Sequence, residues 1–113
     1  MIRILLNGAC GRMGRGLRQM IADSPEWELA AAVDPFGSEE GVLHSFDECP
    51  DADVIIDFSN HASTIPMLEY AKAKKLPVML ATTGQTEEEK AAVNEFAKKI
   101  DWNRITVILG YAF

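Results

Sequence analysis

The feature that most constrains this chain is its start, Met1-Ile-Arg-Ile-Leu-Leu-Asn-Gly-Ala-Cys-Gly-Arg-Met-Gly. The apolar run over residues 2–6 reads as a buried strand. Three glycines follow at three-residue steps, Gly8, Gly11 and Gly14, and a helical pattern then begins. A chain that leaves a strand and enters a helix so quickly must turn tightly, which favours a residue free to take positive φ. The spacing G-x-x-G-x-x-G is a relative of G-x-G-x-x-G, in which a pyrophosphate approaches the backbone with nothing larger than hydrogen in its way. The first helical N–H groups and the positive end of the helix dipole would hold that anion. Gly14 would let the helix pack closely on the sheet.

Glycine turns without a ligand are common, so the motif needs its context. The fingerprint expects an acidic residue about 20 positions on, at the end of a second strand, to bind an adenosine ribose. The apolar run over residues 29–33 ends at Asp34, twenty residues after Gly14. A carboxylate accepts from both ribose hydroxyls and repels a 2′-phosphate, whereas a nearby arginine is the usual device for NADPH. Pro35 and Phe36 follow Asp34, and Arg12 and Arg15 are the nearby cations. NADH is therefore the expected cofactor, with NADPH second.

The chain in order alternates strands with helices. A helix over residues 12–22 places Met13, Leu17, Met20 and Ile21 on one face, and Asp23-Ser24-Pro25 ends it. Residues 27–33 form the second strand. The acidic segment 39–50 reads as a loop with at most one helical turn, capped by Ser45. Residues 53–59 form a third strand. A helix over about 61–75 follows, capped by Ser59 or Asn60, with Ile65, Leu68, Ala71 and Leu76 inward and Pro66 in its first turns. Residues 77–81 are a fourth strand. Thr86-Glu-Glu-Glu89 has the spacing of a capping box and opens a helix to about residue 99, with Ala92, Val93, Phe96 and Ala97 buried. Lys98 and Lys99 suit its C-terminal end. Residues 105–109 form a fifth strand.

This alternation predicts an α/β fold, a doubly wound parallel sheet of the Rossmann-like, dinucleotide-binding kind. In such sheets ligands gather at the carboxyl ends of the strands, where the strand order reverses. The segments 8–14, 34–37, 58–61, 82–84 and 110–113 should line that edge. One domain is expected over residues 1–113.

Composition excludes other classes. The net charge of −6 argues against a nucleic-acid partner, which wants a basic surface. No apolar run approaches the roughly 20 residues of a membrane span, and no signal-peptide architecture precedes the first strand, so a cytoplasmic location is expected. Cys10 and Cys49 form no C-x-x-C pair, and His44 and His61 stand apart from other ligand types as surface residues, so no metal site is expected. Cys10 lies near a helix N-terminus that could lower a thiol pKa, although a small residue tolerated in a tight turn accounts for it more simply.

Three blocks resemble a known family: Gly8-Ala-Cys-Gly-Arg-Met-Gly14, then Asp57-Phe-Ser59, then Ala81-Thr-Thr-Gly84. Their order and spacing are similar to the G-x-x-G-R-M-G, D-F-[TS] and G-T-T-G blocks of dihydrodipicolinate reductases of lysine (diaminopimelate) biosynthesis, and the end, Val107 to Phe113, resembles the family's last strand and its A-x-N-[FM] segment. The resemblance covers essentially the whole chain. It departs at Ala81, where the family has glycine, and at Ala112, where it has asparagine. No H-H-x-x-K-x-D-x-P-S-G-T motif is present, so the chain resembles the cofactor domain without the substrate domain.

The resemblance implies that Gly8, Gly11, Arg12, Met13 and Gly14 surround the pyrophosphate. It implies Asp34 at the adenosine ribose, and Phe58, Thr82, Thr83, Gly84, Gly110, Tyr111 and Phe113 towards the nicotinamide. Plainer roles compete. Met13 could be a core residue, Phe58 could be packing, Thr82 and Thr83 form turns regardless of ligand, and Asp57 reads best as a helix cap. No catalytic residue is assigned.

The leading reading is the NAD(P)H-binding part of a reductase that delivers hydride to a cyclic unsaturated dicarboxylate, inactive by itself, and a monomer or weak dimer. The alternatives are a stand-alone nucleotide-binding regulatory module, with the acidic segment or Cys10 as its handle, and the cofactor domain of another Rossmann dehydrogenase.

Overall fold

The computed structural model describes residues 2–37, 39–81, 84–98 and 107–109. Five strands, β1 (Ile2–Asn7), β2 (Trp27–Val33), β3 (Val54–Asp57), β4 (Val78–Leu80) and β5 (Val107–Leu109), pair in parallel in the order β2-β1-β3-β4-β5. Three helices connect them: α1 (Arg12–Asp23), α2 (Thr64–Lys74) and α3 (Glu87–Lys98). This is the expected doubly wound α/β sheet. The order reverses between β1 and β3, because the chain steps one way from β1 to β2 and the other way from β3 to β5.

Alternation along each strand sends neighbouring residues to opposite faces, and this builds two cores. On one face Leu5, Val33, Ile55, Val78 and Leu80 pack with Met67, Leu68 and Ala71 of α2 and with Val93 and Phe96 of α3. On the other, Leu6 and Ala32 pack with Ala9, Val42 and, from α1, Leu17. Leu5, Leu6 and Ile55 are wholly buried, and each such side chain contributes about 1.5–3 kcal/mol.

The register sets the site's geometry. Val33, Asn7, Asp57, Leu80 and Leu109 lie side by side across the sheet. The chain leaving each of these strands therefore starts at one edge, with Asp34, Gly8, Phe58 and Ala81 as the next residues.

Local signals hold well in several places. Thr86 and Glu89 make the capping box: the Thr86 backbone N–H donates to Glu89 Oε1 at 2.7 Å, and the Glu89 N–H donates to Thr86 Oγ1 at 3.2 Å. Ser45 caps a single 3-10 turn, Phe46–Glu48, by accepting from the Asp47 N–H at 3.1 Å. That turn is pinned by Phe46, whose ring stacks on Tyr70 with centroids 5.3 Å apart. Within the same connection Leu43 makes a one-residue parallel bridge to Val33, a vestigial strand at the β2 edge.

Other expectations change. Met13 and Met20 of α1 are 57% and 58% exposed, while Gly14 and Ile21 are the buried positions of that helix. Periodicity identified an amphipathic helix, but its covered face is narrower than the run of apolar residues. The helix after β3 begins with a 3-10 turn, His61–Ser63, capped by Asn60 and not by Ser59. That turn advances three residues per revolution, which shifts the phase: Thr64, Met67, Leu68 and Ala71 are buried, and Ile65 is only partly covered. β3 and β4 are shorter than the apolar runs that contain them. The expectations for Ala97 as a buried side chain, for Lys99 and for residues 105 and 106 lie outside what is described.

Candidate functional site

The reversal of strand order opens between the carboxyl ends of β1 and β3, and the glycine turn occupies it. Gly8 has φ +88°, and a Cβ there would lie 2.5 Å from the Phe58 carbonyl oxygen and 2.7 Å from the Ser59 nitrogen. Its glycine identity is required by both the turn and the approach of the neighbouring segment. Gly14 is required for a different reason: a Cβ there would clash with the Gly8 carbonyl and lie 2.9 Å from Ala9 Cα. The helix thus packs on the turn that launches it, a tighter arrangement than packing on the sheet alone.

Gly11 is different. A Cβ there would meet only the Gly8 oxygen, at an ordinary 3.5 Å, and its φ of −75° suits any residue. The residue is exposed. Folding alone does not demand a glycine at this position.

The amides of the turn are largely used within it. Gly8 and Ala9 donate to the Val33 carbonyl at 2.8 and 3.1 Å, and Gly11 donates to the Gly8 carbonyl at 3.2 Å. The Cys10 N–H donates to Asp34 Oδ2 at 3.0 Å. The first bond along the helix runs from the Arg15 N–H to the Gly11 carbonyl at 2.9 Å. The amides of Arg12, Met13 and Gly14 precede any turn that could accept from them. α1 has no side-chain cap and no acidic residue in its first turn. An exposed helix N-terminus of this kind presents backbone N–H groups and a partial positive charge.

Asp34 is buried, 7% exposed, and works on the backbone. Oδ2 accepts from Cys10, and Oδ1 accepts from the Phe36 N–H at 3.0 Å. The carboxylate therefore ties the glycine turn to the segment leaving β2, while each oxygen retains a further lone pair. Phe36 beside it is 64% exposed.

Sequence reasoning missed a buried polar cluster beneath the crevice. Asn7 Nδ2 lies 2.9 Å from Asp57 Oδ1 and 3.1 Å from both Ser59 Oγ and Ser63 Oγ. Ser59 Oγ also donates to Asp57 Oδ1 at 2.6 Å. Asp57 is thus not a helix cap. It is a fully buried acceptor that ties Asn7 of β1 to Ser59 after β3, while Asn7 itself reaches on to Ser63 just ahead of α2. The signal available in the sequence was a polar residue closing each of two apolar strands.

His61 is also not isolated. Its Nδ1 lies 2.8 Å from Glu89 Oε1, joining the segment after β3 to α3. The backbone N–H of Thr86, in the first place, and His61 hold the Glu89 carboxyl below its usual range, against the opposing effect of burial. Burial pushes the Cys10 thiol up to about 11, aided by the carboxylates of Glu39 and Asp34. Burial and these carboxylates thus oppose thiolate formation at Cys10.

Of the residues expected at the site, Gly8, Gly11, Arg12, Met13, Gly14, Asp34 and Phe58 fall on the segments that leave β1, β2 and β3 at the shared edge. Arg12 and Met13 are exposed, and Phe58 is half-buried. Gly84, exposed with φ +84°, turns the chain between β4 and α3. Thr82, Thr83, Gly110, Tyr111 and Phe113 lie outside the described residues. Among the described residues there is no group of three or more His, Cys, Asp or Glu side chains able to hold a metal ion, and no helix long and apolar enough to cross a membrane.

Comparison with known proteins bears on this geometry. Residues 2–109 match the family model described as dihydrodipicolinate reductase, N-terminus. The 4-hydroxy-tetrahydrodipicolinate reductase of Caldanaerobacter subterraneus subsp. tengcongensis is 38% identical over 103 residues, 88% of this chain and 41% of the relative. The reductase of the same name from Clostridium tetani is 36% identical over 107 residues, with the same two shares. The chain thus spans about two fifths of the length of these curated relatives. Among solved structures, a Klebsiella pneumoniae protein assigned as an oxidoreductase superposes with a TM-score of 0.67 at 21% identity, covering 95% of this chain and 33% of that one. That likeness speaks for the fold alone.

Proposed function

This chain belongs to the dihydrodipicolinate reductase family, in its N-terminal part, and from that premise we propose that residues 1–113 form a nicotinamide-dinucleotide-binding domain. The observation that carries the reading is Gly11. It is a glycine that the fold does not require, at the N-cap position of α1, whose start is exposed and has no side-chain cap. A pyrophosphate lying there would accept from the first helical amides, with Arg12 and Met13 flanking it. Gly8 and Gly14 shape the turn that holds those amides in position.

Asp34 would accept from the ribose hydroxyls through the lone pairs its backbone partners leave free. Its charge disfavours a 2′-phosphate, and Pro35-Phe36-Gly37 supplies no base to offset it. NADH is therefore the favoured cofactor. Phe58, Thr82, Thr83, Gly84, Gly110, Tyr111 and Phe113 would face the nicotinamide end. The bound cofactor supplies hydride; the chain's own residues orient it and exclude water.

The complete reaction of this reading is reduction of a cyclic unsaturated dicarboxylate in lysine biosynthesis. That reaction also needs a positioned acid and a cationic clamp for two carboxylates. Neither is assigned here, so the 113-residue chain alone is expected to bind cofactor without turnover. Calorimetric titration with NADH and NADPH tests the reading. NADH should bind more tightly, and Asp34→Asn, which retains one acceptor for the backbone, should weaken NADH while narrowing the difference. Equal or tighter NADPH binding by the wild type would refute the preference, and loss of all binding would refute the site.

A further inference from the structure

Glu39 holds two arginines at the Asp34 end of the crevice. Its Oε1 lies 3.3 Å from Arg15 Nη2, and its Oε2 lies 3.3 Å from Arg18 Nη1. Arg18 Nη1 also donates to the Ala9 carbonyl at 3.2 Å, which draws the group against the glycine turn. The cluster is continuous with Asp34. Arg18 holds the Ala9 carbonyl, and the next residue, Cys10, donates its backbone N–H to Asp34. Gly37 sits so close to both that a Cβ there would lie 2.6 Å from Cys10 Sγ and 3.0 Å from Asp34 Cγ. Arg15, Arg18, Gln19 and Glu39 line an open polar cavity of about 350 Å³ beside this cluster.

Two guanidiniums next to a ribose-binding carboxylate are the groups a 2′-phosphate would seek. Here both are engaged by a carboxylate that is itself only partly exposed. We infer that Glu39 is a specificity-determining residue that withholds Arg15 and Arg18 from the 2′-phosphate of NADPH. The inference rests on the reading of the Asp34 end as the adenosine-ribose subsite. With Glu39 ionised, its group of three side chains carries one net positive charge, which Asp34 cancels. A phosphate dianion entering there must separate two ion pairs and come to rest beside two carboxylates. NADH, with a bare 2′-hydroxyl, meets neither cost. Arg15 and Arg18 therefore do not act as the cationic clamp that their position suggests.

The test is calorimetric titration of the 113-residue chain with ADP-ribose and 2′-phospho-ADP-ribose, which report the adenosine end alone, and with NADH and NADPH. Glu39→Gln retains the length and an amide oxygen for the arginines but removes the charge. It should raise affinity for both 2′-phosphorylated ligands about tenfold and leave ADP-ribose and NADH within about twofold. Adding Arg15→Ala and Arg18→Ala to Glu39→Gln should erase the gain. Arg15→Ala on the wild-type background should move NADPH affinity by less than about twofold, because that arginine is already engaged. A tenfold fall there would show Arg15 already serving the phosphate and overturn the inference, whether or not the Glu39 variant folds. An unchanged preference in Glu39→Gln with NADH binding intact would also overturn it, while leaving the site reading in place. Absence of ADP-ribose and NADH binding by the wild-type chain would remove the site reading and this inference together.

Discussion

The starts of α1 and α3 are opposite solutions to one problem, since both helices present amides that no earlier turn can satisfy. α3 closes its end with its own residues: Thr86 and Glu89 exchange hydrogen bonds, and Glu87, Glu88 and Glu89 complement the dipole. α1 leaves its end bare, with Gly11 at the cap position, no acid in the first turn, and Arg12 and Met13 in the open. A capped end is complete without a ligand. An uncapped end at the carboxyl edge of a parallel sheet, where the strand order reverses, offers N–H groups and a partial positive charge that would suit the proposed pyrophosphate. The contrast separates an end that stabilises this fold from one that the proposed cofactor would use.

The largest expected effect comes from Gly14→Val. The added side chain would drive into the backbone of Gly8 and Ala9, which cannot yield as a flexible side chain would. A loss of about 3 kcal/mol in urea unfolding is expected, together with loss of NADH binding. Gly11→Ser gives α1 the kind of cap that α3 has, and so tests the contrast directly. Stability should hold or rise by a few tenths of a kcal/mol, while NADH affinity falls about tenfold or more as measured by titration. Undiminished binding in that variant would mean that the start of α1 is not the pyrophosphate site.

Thr86→Ala opens the other end. It should cost about 1 kcal/mol in unfolding free energy and leave NADH affinity within about twofold. The smallest effect is one of pH. Because the folded protein holds the Glu89 carboxyl below its ordinary value of 4.5, the charged form is stabilised by folding. That contribution is fully present above 4.5 and is lost as pH falls through the lower folded value. Thermal melts between about pH 7 and pH 3 should therefore show a shallower acid loss for Glu89→Gln than for wild type. Identical acid slopes would mean that the capping carboxylate contributes little.

Local chemistry was legible wherever it is completed within a few residues. β2 falls on residues 27–33 as read, α1 ends at the Asp23-Ser24-Pro25 signal, and the Ser45, Asn60 and Thr86 caps make the bonds expected of them or of their neighbours. The order of strands, glycines and acid along the chain was enough to read a doubly wound parallel sheet and the edge where its ligand would lie, because periodicity and turn chemistry are properties of short segments. What only the tertiary structure decided lies between distant segments. Asn7 meets Asp57 across 50 positions and Cys10 meets Asp34 across 24, so only the bonds of Asp57 and Asp34 to residues two places on have a local signature, and their ties to the first strand and its turn have none. Glu39 likewise reaches Arg18 across 21 positions, which no run of residues announces. The three glycines share one spacing in the sequence, but only packing distinguishes two that the fold requires from one that it does not, because the distinction lies in which backbone comes within reach of a missing Cβ.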